Sequence, residues 1–545
     1  MVLFNSMLKV WIVCAMLVIS AYATNHDEAI SLLDEGLMKT NEIINRMMIK
    51  WQITEFPNFL KSGAMPKSSW DILKVKFQGK ILDGLLSPKG ETKFIMTFTG
   101  SSVTAGHDSF FNQSFSELTG QVMNEALSIF NIEAVSRNVA LGNNPCLPYD
   151  VCVKTFAGKD SDLVHWEQSF NCDARDPRFK FVYEQFIRQV LSFQNNAIVV
   201  FSNSATPNWD KDKCKSPKPK PAISTDDKHL LEKLTSDPIQ IPTELNKREI
   251  TNVWSGISGM LNKYKAAGMQ FFSHEHYDKY KCHGPYVAEW QCCSASWHPS
   301  ILGHQIRADH HAFYWLLILR DAIQFIQTSL KNSETLDDLS KKMKKHLKAE
   351  MKYAIAEPMH ESKYSDGLQC YTTFQPHTDE SMSLDKLVLP NNDNTPGFKM
   401  DIFEMLTEPG VVKKARKMGY KDFKHMLYGN KDSGVLSLKT IVTAKGNSFL
   451  CQPPGNWGKL PKGFTNMWEC GTEVYLTPNV PVGDMQSFVF QKDKATRISY
   501  TQKALTDSQS WLCVDFDSPL PIGSHVLTVV PTTDQKIGFA YLLIP

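Results

Sequence analysis

Hydrophobic positions change rhythm along the chain. Over 24–85 they recur at helical intervals, most clearly in AISLLDEGLMKTNEIINRMMIKW, which predicts a helical segment packed on the next unit. From Lys93 to about Leu330, short apolar runs alternate with amphipathic stretches. KFIMTFT reads as a strand, and FSELTGQVMNEALSIF as a helix with Leu118, Val122, Ala126 and Phe130 near helical spacing. EAVSRNVALG and DLVHWEQSF follow as strands, then the helix RFKFVYEQFIRQVLSF, the strand AIVVFS, the helix REITNVWSGISGMLNKYKAA and the strand MQFFS. A helix after Pro299 closes the series. This alternation predicts an α/β fold with a parallel sheet and helices on both faces over 86–332. The stretch 333–369, with SETLDDLSKKMKKHLKAEMKY, reads as a charged, solvated helix or linker, and Trp209–Ala222 as an exposed basic insertion. From about Cys370 the period shortens. GVLSLKTIV, EVYLT, SFVFQ, TRISYTQ, WLCVDF, GSHVLTVVP and IGFAYLLI lie between turn residues, predicting an antiparallel β-sandwich over 370–545.

The amino terminus changes the picture. Lys9 precedes the apolar run VWIVCAMLVI, and AYA (Ala21–Ala23) supplies small residues where a signal peptidase cuts, so 1–23 is expected to be a cleaved signal peptide. Arg320 and Asp321 interrupt the apolar helix AFYWLLIL, and no stable membrane span is expected. The chain then belongs in the secretory lumen or outside the cell. There disulfides are the default for the eleven cysteines left once Cys14 departs with the signal, and an odd count leaves at least one thiol free or paired between chains. Adjacent Cys292 and Cys293 are expected to take different partners. Asn112-Gln113-Ser114 is a glycosylation sequon. Lys plus Arg number 59 against 57 Asp plus Glu, so no charge excess favours nucleic acid. His274, His276 and His283 are closely spaced without a confident carboxylate or second shell. They are expected to be surface or loop histidines, with no metal or cofactor.

The candidate chemistry begins at GSSVTAGHD (Gly100–Asp108), where a strand hands over to a helix. A serine hydroxyl needs a base to take its proton and donors to hold the oxyanion that forms. Ser102 follows the first strand, Gly142 the second in NVALGNNP, and Asn171 the third, while His298 precedes the closing helix in SWHPSILGH. Each alone has a plainer use. Ser102 suits a helix cap, Gly142 a turn, Asn171 a cap or turn, and His298 a packed position. His107 shares the turn with Ser102, so it ranks below His298 as a base arriving from another element.

Together, in this order, the four blocks resemble those of the SGNH hydrolases, the GDSL-type esterases, over roughly 90–330. Gly100-Ser101-Ser102-Val103-Thr104-Ala105-Gly106 stands for the first block, Gly142 for the second and Ser169-Phe170-Asn171-Cys172 for the third. Ala295-Ser296-Trp297-His298-Pro299-Ser300, followed by Gly303-His304, stands for the last. The resemblance implies a three-layer α/β/α sandwich of about five parallel strands. It implies a nucleophile at Ser102, a base at His298, and an oxyanion hole from the N–H groups of Ser102 and Gly142 with the Asn171 amide. Three positions depart from the family. Ser101 replaces the first-block aspartate, Cys172 the third-block aspartate, and Ala295 the triad aspartate. A disulfide at Cys172 would stiffen the loop carrying Asn171. Without the local acid, His298 works in a dyad or borrows a carboxylate, with Glu289 and Asp278 the nearest upstream.

The expected function is a secreted serine esterase acting on an acyl ester through an acyl-enzyme on Ser102, with an O-acetyl group on an extracellular polysaccharide as the expected substrate. Two alternatives stay open: an O-acyltransferase using the same intermediate, and a non-catalytic glycan-binding protein built on a degenerate hydrolase domain. Trp457 and Trp468 in the last domain offer rings for sugar stacking if exposed, and Cys451 and Cys470 flank their loop as a staple.

Overall fold

The computed structural model describes residues 2–50, 63–64, 67–87, 91–107, 109–142, 144, 146–168, 172–203, 255–270, 298–299, 301–332, 334–355, 357–360, 367–390, 395–402, 409–452, 460, 462–465, 472–502 and 512–545. Five parallel strands form the first sheet: β1 (Thr92–Gly100), β2 (Ile132–Asn138), β3 (Leu163–Glu167), β4 (Ile198–Asn203) and β5 (Ala267–Gln270), in the order β2-β1-β3-β4-β5. A two-residue segment, Gly63–Ala64, pairs antiparallel to β5 at the edge. β1 and β3 are almost wholly buried, as central parallel strands covered on both faces must be. The chain steps from β1 outward to β2, then crosses back to β3 on the other side of β1. The carboxyl ends of β1 and β3 therefore flank the topological switch point, where open α/β sheets leave a crevice for ligands.

Helices cover the sheet: α1 (Val2–Lys50), α2 (Lys67–Leu86), α3 (Ser102–Ala105), α4 (Phe115–Leu127), α5 (Lys180–Leu191), α6 (Ser258–Tyr264), α7 (Ile301–Lys331) and α8 (Leu336–Ile355). None of the described helices is long and apolar enough to cross a membrane. The front helix α2 is pinned to the sheet by charge. Lys76 and Lys80 each reach the fully buried Asp162 at 2.8 Å, and Asp162 also accepts the Ile95 N–H at 2.9 Å. A buried carboxylate with that many partners escapes the cost of an unpaired charge. α8, expected as a solvated helix or linker, is amphipathic. It buries Leu339, Met343, Leu347 and Met351 at four-residue spacing and lies against α2, while its lysines face outward.

In the last third every strand ladder among the described residues is antiparallel. Its strands are β6 (Gln369–Thr372), β7 (Lys399–Ile402), β8 (His425–Gly429), β9 (Leu436–Val442), β10 (Phe449–Gln452), β11 (Glu473–Thr477), β12 (Thr496–Arg497), β13 (Tyr500–Gln502), β14 (Leu512–Phe516), β15 (Gly523–Val530), β16 (Ile537–Phe539) and β17 (Tyr541–Ile544). The sheets β9-β15-β11-β12 and β13-β14-β10-β17-β6 face each other across Leu438, Leu450, Val474, Val514, Leu527 and Leu542, with β16-β8-β7 as a third, smaller sheet. The molecule is thus α/β followed by a β-sandwich. One helix, α9 (Pro409–Met418), precedes β8.

Several expectations need correction. SFVFQ is not a strand: its Ser487 ends a 3-10 turn, Val489 is 54% exposed, and the segment pairs with no ladder. IGFAYLLI is two strands. Ala540 divides it, with β16 joining β8 and β17 joining β10 and β6, so this wholly buried run serves two sheets. Cys451 pairs with Cys513 on the neighbouring strand β14, not with Cys470, which lies outside the described residues together with Trp457 and Trp468.

Two further disulfides bear on the site. Cys146–Cys172 ties the segment after β2 to the segment after β3, and Cys152–Cys370 joins the first domain to β6 of the second. At that junction Thr155 Oγ1 donates to the Cys370 carbonyl at 2.8 Å, and the Thr378 N–H to the Thr155 carbonyl at 3.1 Å. Phe374, Tyr541 and Leu543 enter the same apolar core as Phe98, Phe156 and Trp166. The two domains therefore share one interior.

Candidate active site

The β1 strand ends at Gly100, where a side chain has no room: a Cβ would stand 2.4 Å from Thr104 Oγ1 and 2.8 Å from the Glu167 carbonyl. The chain then turns sharply into α3. Ser101, not Ser102, caps that helix, its hydroxyl accepting the Val103 N–H at 3.3 Å. The capping role open to Ser102 in the sequence is thus filled by its neighbour. Ser102 stands half-buried at the first helical position, where a backbone N–H has no partner within the helix. Gly106 ends the turn in a left-handed conformation at φ 84°.

Glu167, at the end of β3, braces this turn. It is fully buried, and its Oε2 accepts Ser101 Oγ at 2.6 Å and Thr104 Oγ1 at 3.1 Å, while its carbonyl accepts the Ser101 N–H at 2.8 Å. In the position where the resembled family carries aspartate, this chain has a serine that hands its hydroxyl to a glutamate on the adjacent strand. Glu167 is absent from the sequence-based site. Its only signal is an acid closing an apolar strand, LVHWE.

His298 approaches from the other side, just before α7. Its Nε2 lies 2.8 Å from Ser102 Oγ, residues 196 apart in sequence. In the tautomer with Nε2 bare, the ring accepts the serine proton. The His107 ring stands edge-on to His298, centroids 5.6 Å apart and 72° between planes.

Gly142 lies close by, but its N–H donates to Asp422 Oδ2 at 2.9 Å. The same oxygen lies 2.8 Å from His107 Nε2. Burial pushes the Asp422 carboxyl up, but the charge and hydrogen bond of His107 with the Gly142 N–H outweigh it, and its pKa lies below the ordinary value. Asp422 belongs to the second domain, and no sequence signal linked it to the site. Tyr420, from the same segment, stacks on His107 with centroids 4.7 Å apart.

The structure therefore brings Ser102, His298 and Gly142 to one edge of the sheet. Asn171, Glu289 and Asp278 lie outside the described residues. Asn112 is exposed, in a short turn ahead of α4. Among the described residues no cluster of three or more His, Cys, Asp or Glu is arranged to hold a metal. His304, His310 and His311 on α7 are buried. Burial is the first cause that pushes His304 and His311 down to about 3.

No family model matches the chain, and no curated protein matches it. Among solved structures, a two-domain esterase (CEX) active on acetylated mannans is similar at 12% identity and a TM-score of 0.36, over 83% of this chain and 90% of that one, in its form co-crystallized with mannopentaose. A second structure of that esterase gives 11% identity and the same TM-score. A likeness this distant carries no argument about activity.

Proposed function

We propose that this chain is a secreted serine esterase that removes an acyl group, acetyl in the first instance, from an extracellular polysaccharide. The observation that carries the reading is the 2.8 Å approach of His298 Nε2 to Ser102 Oγ, made by a half-exposed serine beside the switch point of a parallel sheet. Ser102 Oγ attacks the ester carbonyl carbon as His298 Nε2 takes its proton. The tetrahedral intermediate collapses, and the sugar oxygen leaves with the proton from His298. Water then attacks the acyl-enzyme, His298 again receives the proton and returns it to Ser102 Oγ, and the carboxylic acid departs.

For the oxyanion, the Ser102 N–H stands at the helix start. Gly142 would exchange Asp422 for the developing charge, and Asn171 would add its amide. His298 and Ser102 act as a dyad, with Ala295 unable to orient the imidazole. The disulfides and the leader-like amino terminus favour an oxidising, extracellular setting, with a glycan on the exposed Asn112. The test is release of p-nitrophenol from p-nitrophenyl acetate, and of acetate from acetylated polysaccharides, by the wild type and by Ser102→Ala. Hydrolysis by the wild type that is lost in the variant is the expected result. Equal rates, or none in either protein, would overturn the reading.

A further inference from the structure

The segment Tyr420–Lys424 of the second domain lies over the nucleophile turn of the first. Tyr420 stacks on His107, Lys421 Nζ lies 5.7 Å from the Phe111 ring centroid, and Asp422 reaches inward to His107 Nε2 and the Gly142 N–H. The Phe423 carbonyl accepts the Gln375 N–H at 2.8 Å, which fixes the segment from behind. Asp422 is only 4% exposed. His107, 27% exposed, faces Asp422 on one side and presents its ring to His298 on the other. A run of groups thus leads from the second domain to the reacting hydroxyl: carboxylate, imidazole, imidazole, serine.

Burying a carboxylate is costly, and a mere tether would not need one. The domains are already joined by Cys152–Cys370, by the bonds of Thr155 and by a shared core. The charge is placed instead against His107 and Gly142 beside Ser102, in a chain whose last motif has Ala295 in place of an acid. Other charged or titratable groups face the pair from several elements. Lys424 acts on Asp422, and His304 on α7 faces His298 with Arg307 beside it. Glu167 lies across the turn, held by Ser101 and Thr104.

We propose that Asp422 is a positioning residue of the active site, supplied by the second domain in place of the missing local acid. It acts through His107, holds that ring against His298, and favours the His298 imidazolium that forms when Ser102 gives up its proton. The inference rests on the esterase reading for its catalytic meaning, but the electrostatic link can be measured without substrate.

The decisive variant is Asp422→Asn, which keeps the size and an acceptor for the Gly142 N–H but removes the charge. Asp422→Ser gives the same reading should the asparagine variant fail to fold. In the intact protein with ring-¹³C histidine, the His298 signal, assigned by its loss in His298→Gln, is titrated by NMR in wild type and variant. The expected result is a titration displaced to lower pH in the variant, because a lost neighbouring anion disfavours the cation. With p-nitrophenyl acetate, kcat should fall about 10- to 100-fold with KM within about threefold, and Asp422→Glu should recover part of kcat. A His298 titration that stays in place or moves upward overturns the proposal. So does a variant faster than wild type, which would make Asp422 an obstruction on the Gly142 N–H. If His298 shifts while the wild type hydrolyses no ester, the electrostatic link stands and the esterase reading fails. If the wild type is active and His298 does not shift, the reverse holds.

Discussion

Two serine–histidine pairs occupy the same parallel-sheet domain. His165 Nε2 meets Ser202 Oγ at 2.6 Å, and His298 Nε2 meets Ser102 Oγ at 2.8 Å. By distance alone the first pair is at least as good, yet it is sealed. Ser202 is 1% exposed and His165 not at all, and the rings of Phe98, Phe115 and His311 enclose the imidazole. Burial first, and then His311, hold the His165 pKa well below its ordinary value, so the ring cannot store a proton. Ser102 and His298 are only half-buried and stand outside the carboxyl end of β1. A hydrogen bond between serine and histidine is therefore not itself a nucleophile. Access for a substrate, and a backbone N–H at a helix start beside the hydroxyl, make the difference.

The sharpest way to break this comparison is to remove the hydroxyl of each pair in turn. Ser102→Ala should lower ester turnover by about 10⁴-fold or more, as removal of a nucleophile does elsewhere, and should abolish labelling by a fluorophosphonate. Retained labelling would place the nucleophile at another serine. A smaller effect is expected from Asn171→Ala. If its amide faces the oxyanion, kcat should drop roughly 100- to 1,000-fold with an unchanged melting temperature, and a change of only a few-fold would remove Asn171 from the site.

The buried histidines give a pH test. His304 and His311 lie at about 3 in the folded protein, and His165 lies well below its ordinary value, against about 6.5 in an unfolded chain. All three are depressed on folding, so the stability they contribute is present above about pH 6.5 and is lost as pH falls toward the folded values. Each can remove up to about 1.4 kcal/mol per pH unit in that window. Urea unfolding at pH 7, 6 and 5 should show a steep loss, whereas a flat profile would mean that these rings are not held neutral inside. The smallest effect on turnover is expected from Ser202→Ala. The rate should stay within about threefold of wild type, while stability falls by roughly 1–3 kcal/mol because His165 loses its buried partner. A large loss of rate at full stability would give the sealed pair a catalytic part.

Much of this architecture can be read along the chain. The alternation of apolar runs and amphipathic stretches sets out β1 to β4 with their helices, β5 starts at Ala267 inside the stretch read as a helix rather than at Met269, and the shorter period after Cys370 marks the β-rich end. Errors fell where a short pattern is compatible with two environments. SFVFQ alternates like a strand but finds no neighbour to pair with, and IGFAYLLI is apolar throughout because both of its halves are buried in sheets. Cysteine spacing suggested a staple from Cys451 to Cys470, whereas pairing follows the register that sets Cys451 opposite Cys513.

By itself the sequence determined the period of each segment, the turn that follows β1, and the residue types able to carry acyl transfer at Ser102 and His298. These are local properties: hydrophobic spacing, glycine at a crowded corner, a proline opening a helix. The tertiary structure alone decided which polar groups meet and which are sealed. Asp422 stands 315 residues from His107 and 280 from Gly142, so no local pattern joins them. In the same way, nothing in LVHWE or ADHHAFYWLL tells that His165 and His311 lie in a dry interior while His298 meets the half-exposed Ser102. Polarity is written in the residue, but solvent access and long-range partners exist only once the chain has closed on itself, and those two quantities separate a catalytic histidine from a structural one.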